Sequence, residues 1–394
     1  MSAPVLRIPG VYVQERRSRS TRSLPTGVPV FVGLITDDAA MPAGTAADAD
    51  IYGPMQLMHK SQFLGGEAAY LASAVNGFFD NGGGYCYVVA IKARPADGVN
   101  CAARLIAALA LTTGLTDVDL VAIADAQALL DASGAVDESL VFQVQRAMID
   151  HCTISGTRCA VLDAVRGKSA QALIDGQVKA LGVPAAGPVN AALYHPWIRT
   201  IASGAQLVPP SGQICGIIAR TDAETGVFAA PANVEVQDAT DLDADLDPDS
   251  LALLNDRGVN CIRAFPARGI RVWGARTLSR DEQWRYLSVR RLVLTVLRWI
   301  DANMAWAVLE PNVPALWARI ERELGTYLTS LWRNGALQGD AVGDAFFVRC
   351  DAELNPAAGR EAGQVVTQIA LAPMVPAEFI VVTVQHRAGT TELT

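Results

Sequence analysis

Long apolar runs, paired cysteines and clustered histidines are all missing from this 394-residue chain. No stretch approaches the ~20 consecutive apolar residues that cross a bilayer. The first residues contain no apolar signal-peptide core, so the protein is expected to be made and kept in a cytoplasm. The seven cysteines (Cys86, Cys101, Cys152, Cys159, Cys215, Cys261, Cys350) are odd in number, scattered, and never spaced Cys-x-x-Cys. That pattern predicts reduced, mostly buried thiols rather than a disulfide scaffold or a zinc site. His59, His151, His195 and His386 lie far apart and lack ligand spacing. Positive charge is also short: the net charge of −8 argues against nucleic acid as the main partner. Lysine is absent after residue 250, where 16 arginines face 14 acidic residues, against 16 basic and 26 acidic residues before it. Arginine suits planar pairing with carboxylates at interfaces better than lysine does.

What is present describes a folded, two-domain chain. Half of the residues are hydrophobic and the mean hydropathy is +0.24, which excludes a mainly disordered protein. Much of that content is alanine, pointing to close-packed helices and partner surfaces. After "GVPVFVGLI" (Gly27–Ile35), helical and strand patterns alternate. "AAYLASAVNGFFD" precedes a glycine turn and the strand "YCYVVAI". Helices around Cys101–Leu111, Leu140–Cys152 and Ser169–Leu181 precede "DLVAIAD", "RCAVLDA" and "AALYHPWI". Such alternation predicts a largely parallel sheet covered on both faces. The acidic stretch Asp238–Ser250 reads as a solvated linker ending in a helix cap at Asp249 or Ser250. Beyond it come strands at "VNCIRAF" and "GIRVWG", a helix from about Asp281, a strand at "AWAVLEP", a second helix, and strands at "AFFVRC", "QVVTQIALA" and "EFIVVTVQ".

The second helix is bounded by Pro314 in its first turn and Gly335 past its end. Leu316, Ile320, Leu324, Tyr327, Leu328 and Leu331 form its core face, with Arg319, Arg322 and Arg333 opposite. In the preceding helix, Val289, Leu292, Val293, Val296 and Ile300 form the expected buried stripe, and Arg291 and Arg298 share the outer one. Two strand-like segments stand near the chain ends without hairpin partners: Val11, Tyr12 and Val13, followed by Arg16, Arg17, Arg19 and Arg22, and the run containing Phe379, Ile380, Val381, Val382 and Val384. Exposed edges of this kind are normally hidden, or used for strand addition between chains.

Catalytic and ligand motifs are incomplete. "VRGKSA" ends like a phosphate-binding loop, but Leu162 occupies the position of its first glycine, and Ser169 reads instead as a helix N-cap. Asp125, His151 and Ser211 could be drawn as a serine-hydrolase triad in subtilisin order, yet Ser211 sits in "PPSG", read as a turn, without a nucleophile elbow. Asp241, Asp243, Asp245 and Asp247 alternate as in a calcium loop, without its central glycine and closing glutamate.

Several segments, in order along nearly the whole chain, resemble contractile tail sheath proteins of myophages and phage-derived injection systems. They include "PGVYVQE", "FFDNGGGYCYVV", "PPSGQICGIIARTDAETGVFAAPAN", "LNDRGVNCIRAFPARGIRVWGARTL", "EQWRYLSVRRL", "WAVLEPN", "LWRNGALQG", "AFFVRCD" and "LAPMVPAEFIVV". The resemblance implies an α/β fold: a subtilisin-like, non-catalytic outer α/β domain (25–248), a C-terminal α/β sheath domain (249–376) lying against a tube, and extended β-arms at 1–24 and 377–394. It implies no cofactor, no metal and no catalysis. The implied partners are copies of the same chain in hexameric rings stacked helically, an inner tail tube protein, and baseplate and terminator or cap proteins, with no nucleic acid and no membrane insertion. Assembly would take place in a bacterial host cytoplasm. The arms would add strands to neighbouring subunits, and Arg291, Arg298, Arg319, Arg322 and Arg333 are the candidate tube-facing residues. A paralogue specialised for one end of the tail, or a subtilisin-fold hydrolase, are the alternatives.

Overall fold

The computed structural model describes residues 24–35, 47–48, 50–63, 70–93, 97–204 and 206–378. Of the expected β-arms only Leu24, Ala377 and Glu378 are described; Val11, Tyr12, Val13 and Phe379, Ile380, Val381, Val382, Val384 lie outside the described residues. The first half of the chain contains β1 (Pro29–Ile35), β2 (Ala47–Asp48), β3 (Ile51–Leu57), α1 (Leu71–Asp80), β4 (Cys86–Lys92), α2 (Gly98–Leu111), β5 (Leu120–Ala122), α3 (Glu138–Ser155), β6 (Cys159–Asp163) and α4 (Ala170–Leu173, continued by a π turn at Ile174–Val178). Next come β7 (Ala191–His195), β8 (Ile198–Thr200), β9 (Leu207–Val208), α5 (Ser211–Glu224), β10 (Val234–Glu235), β11 (Ala239–Leu242), α6 (Pro248–Asp256), β12 (Val259–Phe265) and β13 (Gly269–Trp273). The chain then forms α7 (Leu287–Met304), α8 (Pro314–Arg333), α9 (Val342–Ala345), β14 (Phe346–Arg349), α10 (Ala357–Glu361) and β15 (Gln368–Leu371).

Ten strands form one sheet in the order β10-β13-β12-β7-β6-β5-β1-β4-β3-β2. The six in the middle, β12 to β4, run parallel, and antiparallel strands complete both sides. Every residue of β1 is buried, as a strand covered on both faces requires. Its side chains divide with period two: Val30, Val32 and Leu34 join the core under α2, α3, α4 and α6, and Phe31 and Ile35 join the core under α1 and α5. The seven cysteines are all buried and unpaired.

Local signals set the helix ends. Asp137 caps α3 by accepting from the amides of Ser139 (3.0 Å) and Leu140 (3.3 Å), and Gly156 ends it at φ 64°. Ser169 caps α4 as expected. The helix pair α1–α5 is unusually close because α5 carries glycine at positions four apart. A Cβ on Gly212 would lie 2.3 Å from the backbone of Ala74, and one on Gly216 2.4 Å from the carbonyl oxygen of Phe78.

Four expectations are corrected. The large sheet does not end at residue 248: α6 packs on it through Leu254, and β12 and β13 belong to it, with β12 parallel to β7 and β13 antiparallel to β12. The Asp-rich stretch is not only a linker, because Ala239–Leu242 is a strand paired with β8, and the cap of α6 is Asp247, whose side chain accepts from Ser250 N. Asp241 and Asp243 pair with Arg199 and Arg166, at 2.7 and 3.2 Å. "AWAVLEP" is a 3-10 turn over Ala305–Ala307 rather than a strand, and "PPSG" leads directly into α5 at Ser211. In both places short apolar or Pro-Gly signals are ambiguous without their tertiary neighbours.

Residues after β13 build a smaller unit. Its core holds Trp299, Leu316, Trp317, Ile320, Leu324 and Cys350, with the Trp299 and Tyr327 rings stacked 4.0 Å apart. α7 is the junction: Leu287 and Leu294 pack on the large sheet, and Trp299 packs in the smaller core.

Candidate functional site

The smaller unit presents a two-stranded antiparallel sheet, β14 with β15, registered Phe346 to Leu371 through Arg349 to Gln368. Each strand has four residues and none is buried; Phe347 is among the exposed large hydrophobics. Among the described residues no further strand pairs with either outer edge. Two short strands are marginal alone. Here they are held by α8 and by main-chain bonds at one end, from Gln338 N to the carbonyl of Ala372 (2.7 Å) and from Met374 N to that of Ala336 (3.0 Å). The result is a supported strand pair whose outer edges have no strand partner among the described residues, the chemistry that strand addition uses.

The first described residues lie close to the same unit. Leu24 packs against the core of α7 and α8, and five residues later the chain enters the large sheet as β1. There Asp119 accepts from the amides of Gly27 (3.1 Å) and Val28 (2.7 Å). Asp119 also receives Arg291 Nη2 at 2.8 Å, and Arg291 is bidentate to Asp222 on α5 at 2.7 and 2.6 Å. The guanidinium is only 2% exposed. Burial opposes its charge, but the carboxylates of Asp222 and Asp119 outweigh that and hold it protonated well above the ordinary guanidinium range. Asp222 itself is pushed upward by burial, partly offset by Arg291.

This cluster corrects part of the tube-facing set. Arg291 and Arg298 are buried, 2% and 3% exposed, because α7 is covered on two sides, by the large sheet and by the smaller core. Arg298 spends a donor on the carbonyl of Asp117 (2.8 Å). A period of 3.6 reports one apolar stripe and does not reveal that a second face is occupied by charge pairs. Nothing in the pattern marks Asp119 or Asp222 as partners of Arg291, 172 and 69 residues away.

The remaining three arginines are exposed on α8. Arg319 is engaged locally: its guanidinium lies 3.5 Å from the centre of the Trp306 ring, and it pairs with Glu323 at 3.2 Å. Arg322 and Arg333 make no ion pair among the described residues. With Gly325, Thr326, Thr329, Ser330, Asn334, Val342 and Phe346 they line an open groove of about 670 Å³ along α8, ending at β14. The groove therefore offers two unneutralised guanidinium groups, hydroxyls and a little apolar surface.

The residues of the hydrolase reading have unrelated partners. Asp125 accepts from the amides of Leu34 and Tyr70, both at 2.5 Å, and burial pushes it up to about 6. His151 contacts Arg158 Nη1 at 2.9 Å, and burial followed by that positive charge lowers its pKa. Ser211 donates its amide to Asp163 (2.8 Å). No His/Cys/Asp/Glu group among the described residues could hold a metal ion.

Two family models match side by side: the phage tail sheath protein central domain over residues 121–278 and the phage tail sheath C-terminal domain over 279–387. The chain belongs to the phage tail sheath family. The boundary between the two models coincides with the end of the large sheet. This sheath protein is 30% identical over 182 residues to a putative prophage major tail sheath protein of Pseudomonas aeruginosa (strain UCBPP-PA14), a match covering 45% of each chain; it thus spans under half the length of that curated relative. A chain in the cryo-EM structure of the anti-feeding prophage baseplate, six-fold symmetrised, is 28% identical, with TM-score 0.74, over 98% of this chain and all of that one. A chain of the anti-feeding prophage helical sheath in the contracted state is 29% identical, with TM-score 0.74, over 97% and 99%. The sheath fold is thus mixed α/β, and the family is structural rather than enzymatic.

Proposed function

We propose that this chain is the repeating subunit of a contractile sheath that polymerises helically around an inner tube and shortens to drive the tube through a target envelope. The observation that carries the reading is β14–β15: a supported strand pair on a sheath-family domain, its outer edges without a strand partner among the described residues. The segments with Val11, Tyr12 and Val13 and with Phe379 to Val384 would add to this pair on neighbouring copies, so that subunits stay linked by main-chain bonds while their bodies rotate. A head-to-tail contact of this type does not close on itself and generates a helical array. Contraction then needs two packings of the same subunits, the extended one metastable. The large sheet domain is read as subtilisin-like in fold and turned outward, and assembly as taking place in a bacterial cytoplasm on a baseplate, with a terminator at the other end and subunits six to a ring.

For tube contact the reading narrows to Arg319, Arg322 and Arg333, and chiefly to the two that lack a partner. Their groove suits carboxylates on a tube surface. The test is assembly by negative-stain electron microscopy. Full-length chain should form sheaths on tubes, and chain lacking residues 1–23 should remain as monomers. Equal assembly by both would overturn the linking role of the first segment. Charge reversal at Arg322 and Arg333 should abolish decoration of tubes while leaving the monomer folded; normal decoration would remove these residues from the tube interface.

A further inference from the structure

The polypeptide that leaves the large sheet after β13 returns to it just before the C-terminal segment. Arg276, three residues past β13, is fixed through its backbone: its amide donates to Asn260 Oδ1 on β12 (2.7 Å), and its carbonyl accepts from Asn260 Nδ2 (2.8 Å). Its guanidinium then donates to the carbonyl of Asn255 at the end of α6 (2.8 Å) and, through Nε and Nη2, to both carboxylate oxygens of Glu378, with Nε to Oε1 at 2.8 Å. Both side chains are mostly buried, 10% and 19% exposed. The two residues are 102 positions apart, with the whole of the smaller unit between them. Met374 is still bonded to Ala336 of that unit, so residues 375–378, stiffened by Pro376, bridge from the strand pair to the large sheet.

We infer that the Arg276–Glu378 fork is the anchor at which load carried by the C-terminal linking strand enters the large sheet rather than the β14–β15 pair. The inference rests on the sheath reading, in which that strand binds a neighbour. Its physical content is a matter of placement. A strand pulled from Glu378 would draw on a bidentate ion pair backed by Asn260 and Asn255. A strand continuing directly from Met374 would pull on the pair whose edges must stay in register to receive partner strands. Glu378 is a positioning residue and Arg276 its seat. The short-range geometry favours the charged pair in both directions: the hydrogen bond from Arg276 holds Glu378 below the usual carboxylate range, and the same bond raises Arg276.

Two measurements on full-length protein test it. In the unassembled chain, Glu378→Arg should speed limited cleavage by proteinase K within residues 375–378 at least tenfold, with cleavage elsewhere unchanged; an unchanged rate overturns the anchor itself. In assembled tubes, Glu378→Gln and Glu378→Arg should each reduce tenfold or more the number surviving a urea step that wild type withstands. Arg276→Lys, which keeps the charge and loses the fork, should fall between. The Glu378 variants should remain folded when unassembled, because release of the segment lets water reach Arg276 in place of the lost carboxylate. Wild-type tubes matched in resistance by Glu378→Arg tubes overturn the load-bearing role alone. A wild-type chain that forms no tubes overturns the sheath reading and that role together, whatever the cleavage result.

Discussion

Arg291 on α7 and Asp119 beside β5 meet at 2.8 Å inside the protein, and the same carboxylate holds the amides of Gly27 and Val28. One buried pair thus ties the entry of the chain into the large sheet to the helix that carries the smaller unit.

Removing one partner leaves charge uncompensated. Arg291→Ala would strand the carboxylates of Asp119 and Asp222 in a dry site, a loss of about 3–5 kcal/mol. Arg291→Met with Asp222→Asn should cost markedly less than Arg291→Ala, because the uncompensated charge is reduced as well. Urea unfolding of the single and double variants checks the ordering.

Close packing of α1 on α5 depends on two missing side chains. Gly216→Val should destabilise by about 1–3 kcal/mol or more, since its Cβ would meet the Phe78 carbonyl oxygen at 2.4 Å and backbone must shift. Gly176→Ala, with nothing within 4 Å of the new methyl, should be neutral or slightly stabilising. Thermal midpoints of the two variants measured side by side test the contrast.

Buried acids give the stability a pH slope. Burial raises Asp163 from 3.8 to about 7 and Asp125 from 3.8 to about 6. Between pH 4 and these values the folded chain keeps protons that the unfolded chain releases, so stability falls as pH rises, by at most about 1.4 kcal/mol per pH unit for each group. Asp163→Asn should flatten the profile of thermal midpoint against pH between 4 and 7. An unchanged slope would remove Asp163 as its source.

Leu309 is fully exposed and holds φ at 67°, a conformation that costs a branched-chain residue about 1 kcal/mol or more. Leu309→Gly should therefore raise the unfolding free energy slightly or leave it unchanged, where glycine at an ordinary loop position lowers it. Denaturant midpoints of the variant and wild type decide the sign.

Periodicity, caps and breakers made the alternating helices and parallel strands legible in the sequence, because β1, β4 and β6 are apolar on both faces and α3, α4 and α8 carry Asp137, Ser169, Pro314 and Gly335 at their ends. The family resemblance was legible too, from segments spread along the chain. The scattered, odd-numbered cysteines were read as buried free thiols, and the structure buries all seven unpaired. Tertiary structure alone decided that β12 and β13 complete the large sheet, that Arg291 and Arg298 turn inward, and that Arg276 receives Glu378. Each of those outcomes joins residues tens to hundreds of positions apart. Local propensity acts within a turn or two, whereas the pairing of a charge with its partner is fixed only when the surfaces that bury both have closed.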